Sequence, residues 1–370
     1  TLEEIKMHIF TLDELLDEIP VIRNPVAGSD SKKFERFLQD RLLQDRMRYY
    51  ETNEKGDAGR ILSERIAEAE KKDKKLMALI IGGDGTYNDA VNAKSDLSRV
   101  IFVPIPGGTS SDVARSLNLN NTVRTCNLLT KIFEEEEDIN DYVEPMDIIS
   151  VTYDNGKEIK AMNLFSVGFD GMLCKEVNTS RKKGGFGVKN IYVKKIYEII
   201  KEKRYKPARI KYTLNNIYPL NNTISKTAFA DDILMFTIIN GRYAGGGMNY
   251  NPHFNINDGA LEGFLVKNMG LKEISKLIWH VLLKKDDAHI ISLRDMDGFN
   301  RFNVNYMPGI ESARINLLSV NDEQEYYFNV DGEHYLINNP RAPINVEVLP
   351  RATNVLYIPN FVPSGPVPAS

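Results

Sequence analysis

Two junctions of the same kind, 23 residues apart, constrain this chain more than any other feature. At the first, the apolar run Leu79-Ile80-Ile81 ends in Gly82-Gly83-Asp84-Gly85-Thr86-Tyr87-Asn88-Asp89, and helix-forming sequence follows at once. At the second, Ile101–Ile105 runs into Pro106-Gly107-Gly108-Thr109-Ser110-Ser111-Asp112 and again into a helix. A continuous apolar run bounded by charge and glycine reads as a strand buried on both faces, as in a parallel sheet. Glycine permits positive φ and lets a ligand approach the main chain. The helix start offers unpaired N–H groups and the positive end of a dipole to an anion, phosphate above all. Ligands of open α/β sheets sit at the carboxyl ends of the strands. Two such turns on neighbouring strands therefore predict one site for the phosphates of a nucleotide. Thr86 and Thr109 stand at N-cap positions, with Asp89 and Asp112 three residues on to answer them as in a capping box. Neither junction is a Walker A motif, since no Gly-Lys-Ser/Thr follows, and neither has the Gly-x-Gly-x-x-Gly dinucleotide pattern. Asp84 has no structural duty visible in the sequence. An acid beside phosphates suits holding Mg²⁺ or taking a proton from an acceptor hydroxyl.

The surrounding pattern fits such a sheet. Ile19–Ile22, Arg48–Thr52, Leu76–Ile81 and Val100–Ile105 read as strands; Lys32–Leu43, Ala58–Glu70, Thr86–Ala93, Ser110–Leu117 and Val123–Glu137 read as helices. This alternation with short connections predicts a parallel sheet with helices packed on it. From about Val143 the texture changes. Ile148–Tyr153, Ala161–Val167, Ile210–Leu214, Ile233–Asn240, Leu261–Lys267, Ala313–Leu318, Tyr326–Val330 and Ile344–Val348 read as short strands separated by Asp, Asn, Gly and Pro. Helices interrupt them at Asn190–Lys203 and Leu271–Lys285. The 370 residues then divide into an N-terminal parallel α/β nucleotide-binding domain, 1–143, and a β-rich antiparallel, sandwich-like domain, 144–359. The last stretch, 360–370, rich in Pro and Ser, reads as a disordered or artificially appended tail.

A net charge of −4 excludes a uniformly basic nucleic-acid coat. Two cysteines, Cys126 and Cys174, are too few for a disulfide framework and fit a reducing compartment. No apolar run approaches the ~20 residues of a membrane-spanning helix, and no signal-peptide pattern opens the chain, so a cytoplasmic protein is expected. Charge is uneven, however. Residues 180–211 carry +10, leaving −14 on the rest, and this basic stretch alternates with Ile191, Tyr192, Ile196, Tyr197 and Ile199. A helix here would flank an apolar side with cations. That side either covers the core or meets an anionic membrane surface, each basic residue near a membrane contributing about 1 kcal/mol.

At this point the motifs resemble those of the diacylglycerol kinase catalytic-domain family, which includes bacterial lipid kinases, sphingosine kinases and ceramide kinases. Gly82-Gly83-Asp84-Gly85-Thr86 with Asn88 is similar to its nucleotide loop, and Asn24-Pro25-x-Ala27-Gly28 to its opening turn. Thr52 with Gly56-Asp57-Ala58 is similar to its second segment, and Pro106-Gly107-Gly108-Thr109-x-x-Asp112-x-Ala114-Arg115 to its second glycine loop. Asn251-Pro252, Asp258-Gly259 and Asp331-Gly332-Glu333 resemble its carboxyl-terminal signatures. The resemblance runs from about Val21 to Val348. Ser111 and Asp89 depart from the usual Asn and Glu but keep polarity and capping ability.

The resemblance implies ATP and Mg²⁺ as cofactors and a lipid hydroxyl as acceptor: diacylglycerol, a sphingoid base or ceramide. It implies nucleotide contacts at Asn24, Thr52, Gly83, Asp84, Gly85, Thr86, Tyr87, Asn88, Asp89, Gly108 and Thr109. It implies a metal turn with the Asp258 side chain and main-chain oxygens near Asn255 and Ala260. Two acids compete as proton acceptor, Glu333 of the Asp-Gly-Glu turn and Asp84 of the first loop. NAD kinases and phosphofructokinases share a similar Gly-Gly-Asp-Gly loop, so a soluble NAD kinase-like or sugar-phosphate kinase stands as the alternative, with a non-catalytic nucleotide-binding regulator as a third reading. The Asp-Gly-Glu segment favours a lipid kinase, acting in the cytoplasm and peripherally on a membrane. No nucleic acid partner is expected, and the sequence leaves the oligomeric state open.

Overall fold

The computed structural model describes residues 11–25, 45–107, 111–182, 188–202, 204–205, 208–216, 224–249, 251, 254–268, 270, 272–273, 304–318, 320–321 and 324–359. The helix expected at Lys32–Leu43, nearly all of that at Leu271–Lys285, residues Gly108 and Thr109, and the 360–370 tail lie outside them.

Strands β1 (Ile19–Arg23), β2 (Met47–Glu51), β3 (Leu76–Gly82) and β4 (Val100–Pro106) form the expected parallel sheet in the order β2-β1-β3-β4. The two apolar runs, β3 and β4, are buried at every position. Helix α1 (Asp57–Lys71) turns Ala58, Ile61, Leu62, Ile66 and Ala69 inward, and helices α2 (Asp84–Val91), α3 (Asp112–Ser116) and α4 (Thr122–Phe133) complete the layer. A Cβ on Gly59 of α1 would lie 2.7 Å from the Asp89 carbonyl oxygen of α2, so this glycine sets how closely the two helices pack.

The second half comprises β5 (Val143–Tyr153), β6 (Lys157–Ala161), β7 (Leu164–Gly168), α5 (Phe169–Lys182), α6 (Val188–Lys201), β8 (Ala208–Asn216), β9 (Ile224–Ile239), β10 (Tyr243–Ala244), β11 (Met248–Asn249), β12 (Leu261–Lys267), β13 (Val304–Leu317), β14 (Tyr327–Val330), β15 (Glu333–Leu336) and β16 (Ile344–Leu356). Its strands pair antiparallel among themselves. An α/β layer followed by a β-rich layer is thus the architecture. Phe165, Phe236, Phe328, Ile149 and Val346 fill the interior of the β-rich part. A separate cluster with Leu173, Val177, Ile191, Ile199 and Phe264 seats α5 and α6 on its outer face.

Several strands are longer than the sequence pattern predicts, because they bend and exchange partners. β9 pairs with β8 along its first part and with β12 and β7 along its second. β16 pairs antiparallel with β13 and β5, then shifts register between Leu349 and Thr353 and joins β4 in parallel at Asn354 and Val355. Pro350 and a left-handed Arg351 (φ 50°) mark that bulge, which in the sequence reads as the end of a strand. Helix α5 is an addition to the expected elements. Gly171 is the residue that lets α5 lie directly on the Tyr327 main chain of β14.

Asp147 pins the bulge. Its buried carboxylate accepts the Arg351 N–H (2.7 Å) and the Gly259 N–H (2.7 Å). Asp147→Ala leaves both donors unmatched and is expected to cost about 2–4 kcal/mol, read as a lower urea midpoint with an unchanged slope.

Candidate active site

The carboxyl ends of β1, β2, β3 and β4 converge as the sheet order requires. Asn24, just beyond β1, donates its main-chain N–H to the Ile81 carbonyl (3.0 Å) and its side-chain amide to Thr86 Oγ1 (3.4 Å). Thr52, just beyond β2, donates its N–H to the Arg23 carbonyl (2.9 Å). The two glycine turns touch: the Gly107 N–H reaches the Gly82 carbonyl at 2.7 Å. Tyr87 fastens the same corner from beneath, its buried hydroxyl 2.7 Å from the Ile105 carbonyl and 3.0 Å from that of Gly82.

Helix α2 begins three residues before the capping pattern predicts, with Gly83 rather than Thr86 as N-cap. Gly82 permits this, since a Cβ there would overlap the Thr86 side chain. Asp89 does not answer Thr86. Its Oδ2 accepts the N–H groups of Gly56 and Ala58 (both 3.0 Å) and so caps α1. Asp84, which shows no structural duty in the sequence, has one in the fold. Its Oδ1 accepts the Asp112 N–H (2.8 Å) and the Val113 N–H (3.2 Å), the first donors of α3. Asp112 in turn accepts the Gly246 N–H (2.8 Å). That contact fixes the β10–β11 hairpin, whose Gly245, Gly246 and Gly247 all have positive φ. Burial, with Asp112 as a like-charged neighbour, pushes the Asp84 carboxyl well above the usual range.

The Asp-Gly-Glu segment arrives from the other half of the chain. Asp331 (φ 49°) and Gly332 (φ 83°) form the two-residue turn between β14 and β15. The Asp331 carboxylate is buried and accepts the N–H groups of Met162 (2.8 Å), Asn163 (3.0 Å) and Leu164 (2.8 Å), with the Asn88 amide at 3.4 Å. Asn88 also donates to the Lys160 carbonyl (2.8 Å) and accepts from the Tyr335 hydroxyl (3.3 Å), so it links α2 to β6 and β15. From α5, the Cys174 thiol and the Asn178 amide both donate to the Gly332 carbonyl at 3.0 Å. Glu333 is thereby aimed at the first glycine turn: a Cβ on Gly85 would lie 2.7 Å from its Oε1. Its Oε2 meets Lys55 Nζ at 3.2 Å.

Gly83, Asp84, Gly85, Thr86, Tyr87, Asn88, Asp89, Asn24, Thr52 and Glu333 therefore come together. Within the group, the side chains of Asp84, Tyr87, Asn88 and Asp89 are occupied by the protein's own main chain. What the turns can offer a ligand is main-chain N–H at Gly83, Asp84 and Gly85, at a helix start where such donors have no intrahelical partner.

The turn with Asn255, Asp258 and Ala260 is held by β5 rather than by the glycine turns. Asp258 Oδ1 accepts the Ala260 N–H (3.1 Å), the Ile256 carbonyl accepts the Asp147 N–H (2.8 Å), and Asn257 reaches Glu144 at 3.4 Å. Burial raises the Asp258 carboxyl and the charge on Asp147 adds to it, so a cation there would relieve both acids. Among the described residues no three acidic, His or Cys side chains converge. A metal ion at this turn would use one carboxylate and main-chain oxygens, a hard donor set suited to Mg²⁺.

Sequence reasoning missed Lys55, Asp147, the α5 pair Cys174 and Asn178, and the anchoring role of Asp331. Lys55 meets an acid 278 positions away, and no spacing signals that. Asp331 was visible as a turn residue, because an Asp-Gly pair commonly forms such hairpins, but its three N–H partners lie in a different strand connection.

Asp331 also carries a pH dependence. Burial lifts its folded-state pKa from 3.8 to about 6, the N–H bonds opposing the rise. A raised folded value contributes stability that is complete below the unfolded pKa and lost as pH rises through about 6. Relative to Asp331→Asn, the wild type should therefore lose about 2 kcal/mol between pH 4 and pH 7. Denaturant titrations of both proteins across that window would measure it, and parallel curves would contradict it.

Comparison with known proteins adds to this geometry. Residues 18–144 match the family model described as "Diacylglycerol kinase catalytic domain". A Staphylococcus haemolyticus protein named "Putative lipid kinase" is 27% identical over 302 residues, covering 80% of this chain and 81% of its own. A Shewanella frigidimarina protein named "Probable lipid kinase YegS-like" is 25% identical over 314 residues, covering 83% of each. Among solved structures, a protein from Bacillus anthracis titled "a putative diacylglycerol kinase" superposes with a TM-score of 0.62 at 22% identity, over 94% of this chain and 99% of that one, which speaks for the fold.

Proposed function

We propose, from the match of residues 18–144 to the diacylglycerol kinase catalytic-domain model, that the protein transfers the γ-phosphoryl group of ATP to the hydroxyl of a lipid. The observation that carries the reading is the meeting of Glu333 with Gly85. An acid from the β-rich half stands against the start of α2, where the α/β half offers main-chain donors to an anion.

Phosphoryl transfer needs alignment and charge compensation more than covalent help from the protein. The N–H groups of Gly83, Asp84 and Gly85 bind phosphate oxygens. Asn24 and Thr52 border the same edge, and Gly108 and Thr109 belong to the second turn. The acceptor oxygen forms its bond to the γ-phosphorus as the bond to the β,γ-bridging oxygen breaks. ADP leaves, and the hydroxyl proton passes to Glu333. Of the two candidate bases, Glu333 is favoured, because Asp84 spends its carboxylate on the N–H groups of α3. Mg²⁺, when bound, supplies positive charge to phosphate or carboxylate oxygens; Asp258 with main-chain oxygens of Asn255 and Ala260 would hold one such ion away from the turns.

A lipid acceptor places the enzyme at a membrane surface in the cytoplasm, and the basic stretch 180–211 is the candidate docking face. No described helix is long and apolar enough to span a membrane. On α6 the apolar side is already spent, with Ile191 and Ile199 buried against the core. Lys194 and Tyr197 remain exposed, and Lys195 pairs with Glu198 and Glu176. Docking through this face is therefore electrostatic rather than insertional, and salt should release it.

Radiolabelled ATP offered with mixed micelles of diacylglycerol, a sphingoid base or ceramide should yield a labelled lipid. Labelling only of NAD or a sugar phosphate would overturn the lipid assignment. With the accepted lipid, Glu333→Gln should lower kcat by 10²-fold or more while nucleotide binding is retained. Gly85→Ala, whose Cβ crowds Oε1 at the movable end of the Glu333 side chain, should lower kcat by a smaller factor. Full activity in Glu333→Gln contradicts the role given to Glu333.

A further inference from the structure

Phosphoryl transfer to the lipid assigns Lys55 no step, yet its ammonium touches Glu333. The lysine lies in the turn between β2 and α1, whose geometry is tied down on both sides. Asp57 Oδ2 accepts the N–H groups of Asn53 (2.8 Å) and Glu54 (3.2 Å), and Asp89 Oδ2 accepts that of Gly56 (3.0 Å). The Lys55 ammonium lies over the Tyr335 ring, with Nζ 4.7 Å from the centroid. The same Tyr335 donates its hydroxyl to Asn88 on α2. Nζ then reaches Glu333 Oε2 at 3.2 Å, while Oε1 faces Gly85.

The Glu333 carboxylate thus sits between an ammonium and the positive end of a helix, the two features a terminal phosphate would also seek. The pair is not locked away. The Lys55 side chain is 62% exposed and that of Glu333 31%, so solvent screens the contact and leaves it exchangeable. A γ-phosphate on the Gly83–Gly85 donors brings about two negative charges to the same place.

We propose that Lys55 is a positioning residue that exchanges partners. It holds Glu333 over Gly85, then turns to the γ-phosphate when ATP binds, which frees Oε2 to accept the proton of the acceptor hydroxyl. Lys55 neither gains nor loses a proton in the cycle. The inference rests on the kinase reading and deepens it: the protein recognises the γ-phosphate through a residue that also governs when its base becomes available.

Because ADP lacks the γ-phosphate, the exchange predicts a difference between two nucleotides that a merely structural lysine would not produce. Titration calorimetry of the full chain with ATP and with ADP tests it without needing the lipid. Lys55→Met should weaken ATP binding about tenfold, equivalent to about 1.4 kcal/mol, and leave ADP nearly unchanged. Lys55→Arg should restore most of the ATP affinity. Glu333→Gln should tighten ATP but not ADP, because the competing carboxylate charge is gone. Equal losses for ATP and ADP in Lys55→Met, or no loss for either, would overturn the exchange while leaving the kinase reading in place. If the wild type binds neither nucleotide, the kinase reading fails first and the exchange falls with it.

Discussion

The contact on which the site depends is the buried one between the Asp84 carboxylate and the first N–H groups of α3. Two turns on separate strands have no reason to keep a fixed relation unless something ties them. Backbone pairing between Gly107 and Gly82 aligns their starts, and Asp84 aligns the helices that follow. The cost is a desolvated acid with Asp112 for a neighbour, which shows as a carboxyl pushed far above its usual range. The N–H bonds from Asp112 and Val113 offset part of that cost. Asp112 repeats the device toward Gly246, Asp89 toward the start of α1, and Asp331 toward the connection between β6 and β7. Four acids thus act as fasteners between main-chain segments.

This arrangement separates frame from chemistry. Glu333 differs from those acids in having no main chain to satisfy. It is carried by a tight hairpin whose Gly332 carbonyl is gripped from α5. It is delivered to the α/β half through a sheet that never breaks between the halves, since β16 pairs with β13 in one and with β4 in the other. The position of one carboxylate is therefore set by the whole fold. Asp147, far along the chain from both glycine turns, belongs to the same support because it fixes the bend of β16.

Much of this was legible in the sequence, for identifiable reasons. β3 and β4 are buried on both faces, so their apolar runs have no competing interpretation. α1 carries its apolar residues at helical spacing and ends within a residue or two of the expected limits. The glycine turns and the Asp-Gly-Glu hairpin depend on local backbone freedom, which glycine and Asp-Gly announce. The long strands were not legible, because β9 and β16 change partners midway and each looks like a short strand followed by a break. The capping role assigned to Asp89 failed because its partners, Gly56 and Ala58, come from another helix. Lys55 was silent for the same reason: its meaning arises only where the two halves meet.

The decisive position is that of the terminal phosphate of bound ATP. A crystal structure of the protein with a non-hydrolysable ATP analogue would locate it. The γ-phosphate oxygens should be bonded to the main-chain N–H groups at Gly83–Gly85, with the Glu333 carboxylate facing the γ-phosphorus on the side away from ADP. A γ-phosphate directed away from Gly85, or a nucleotide bound elsewhere on the molecule, would contradict it.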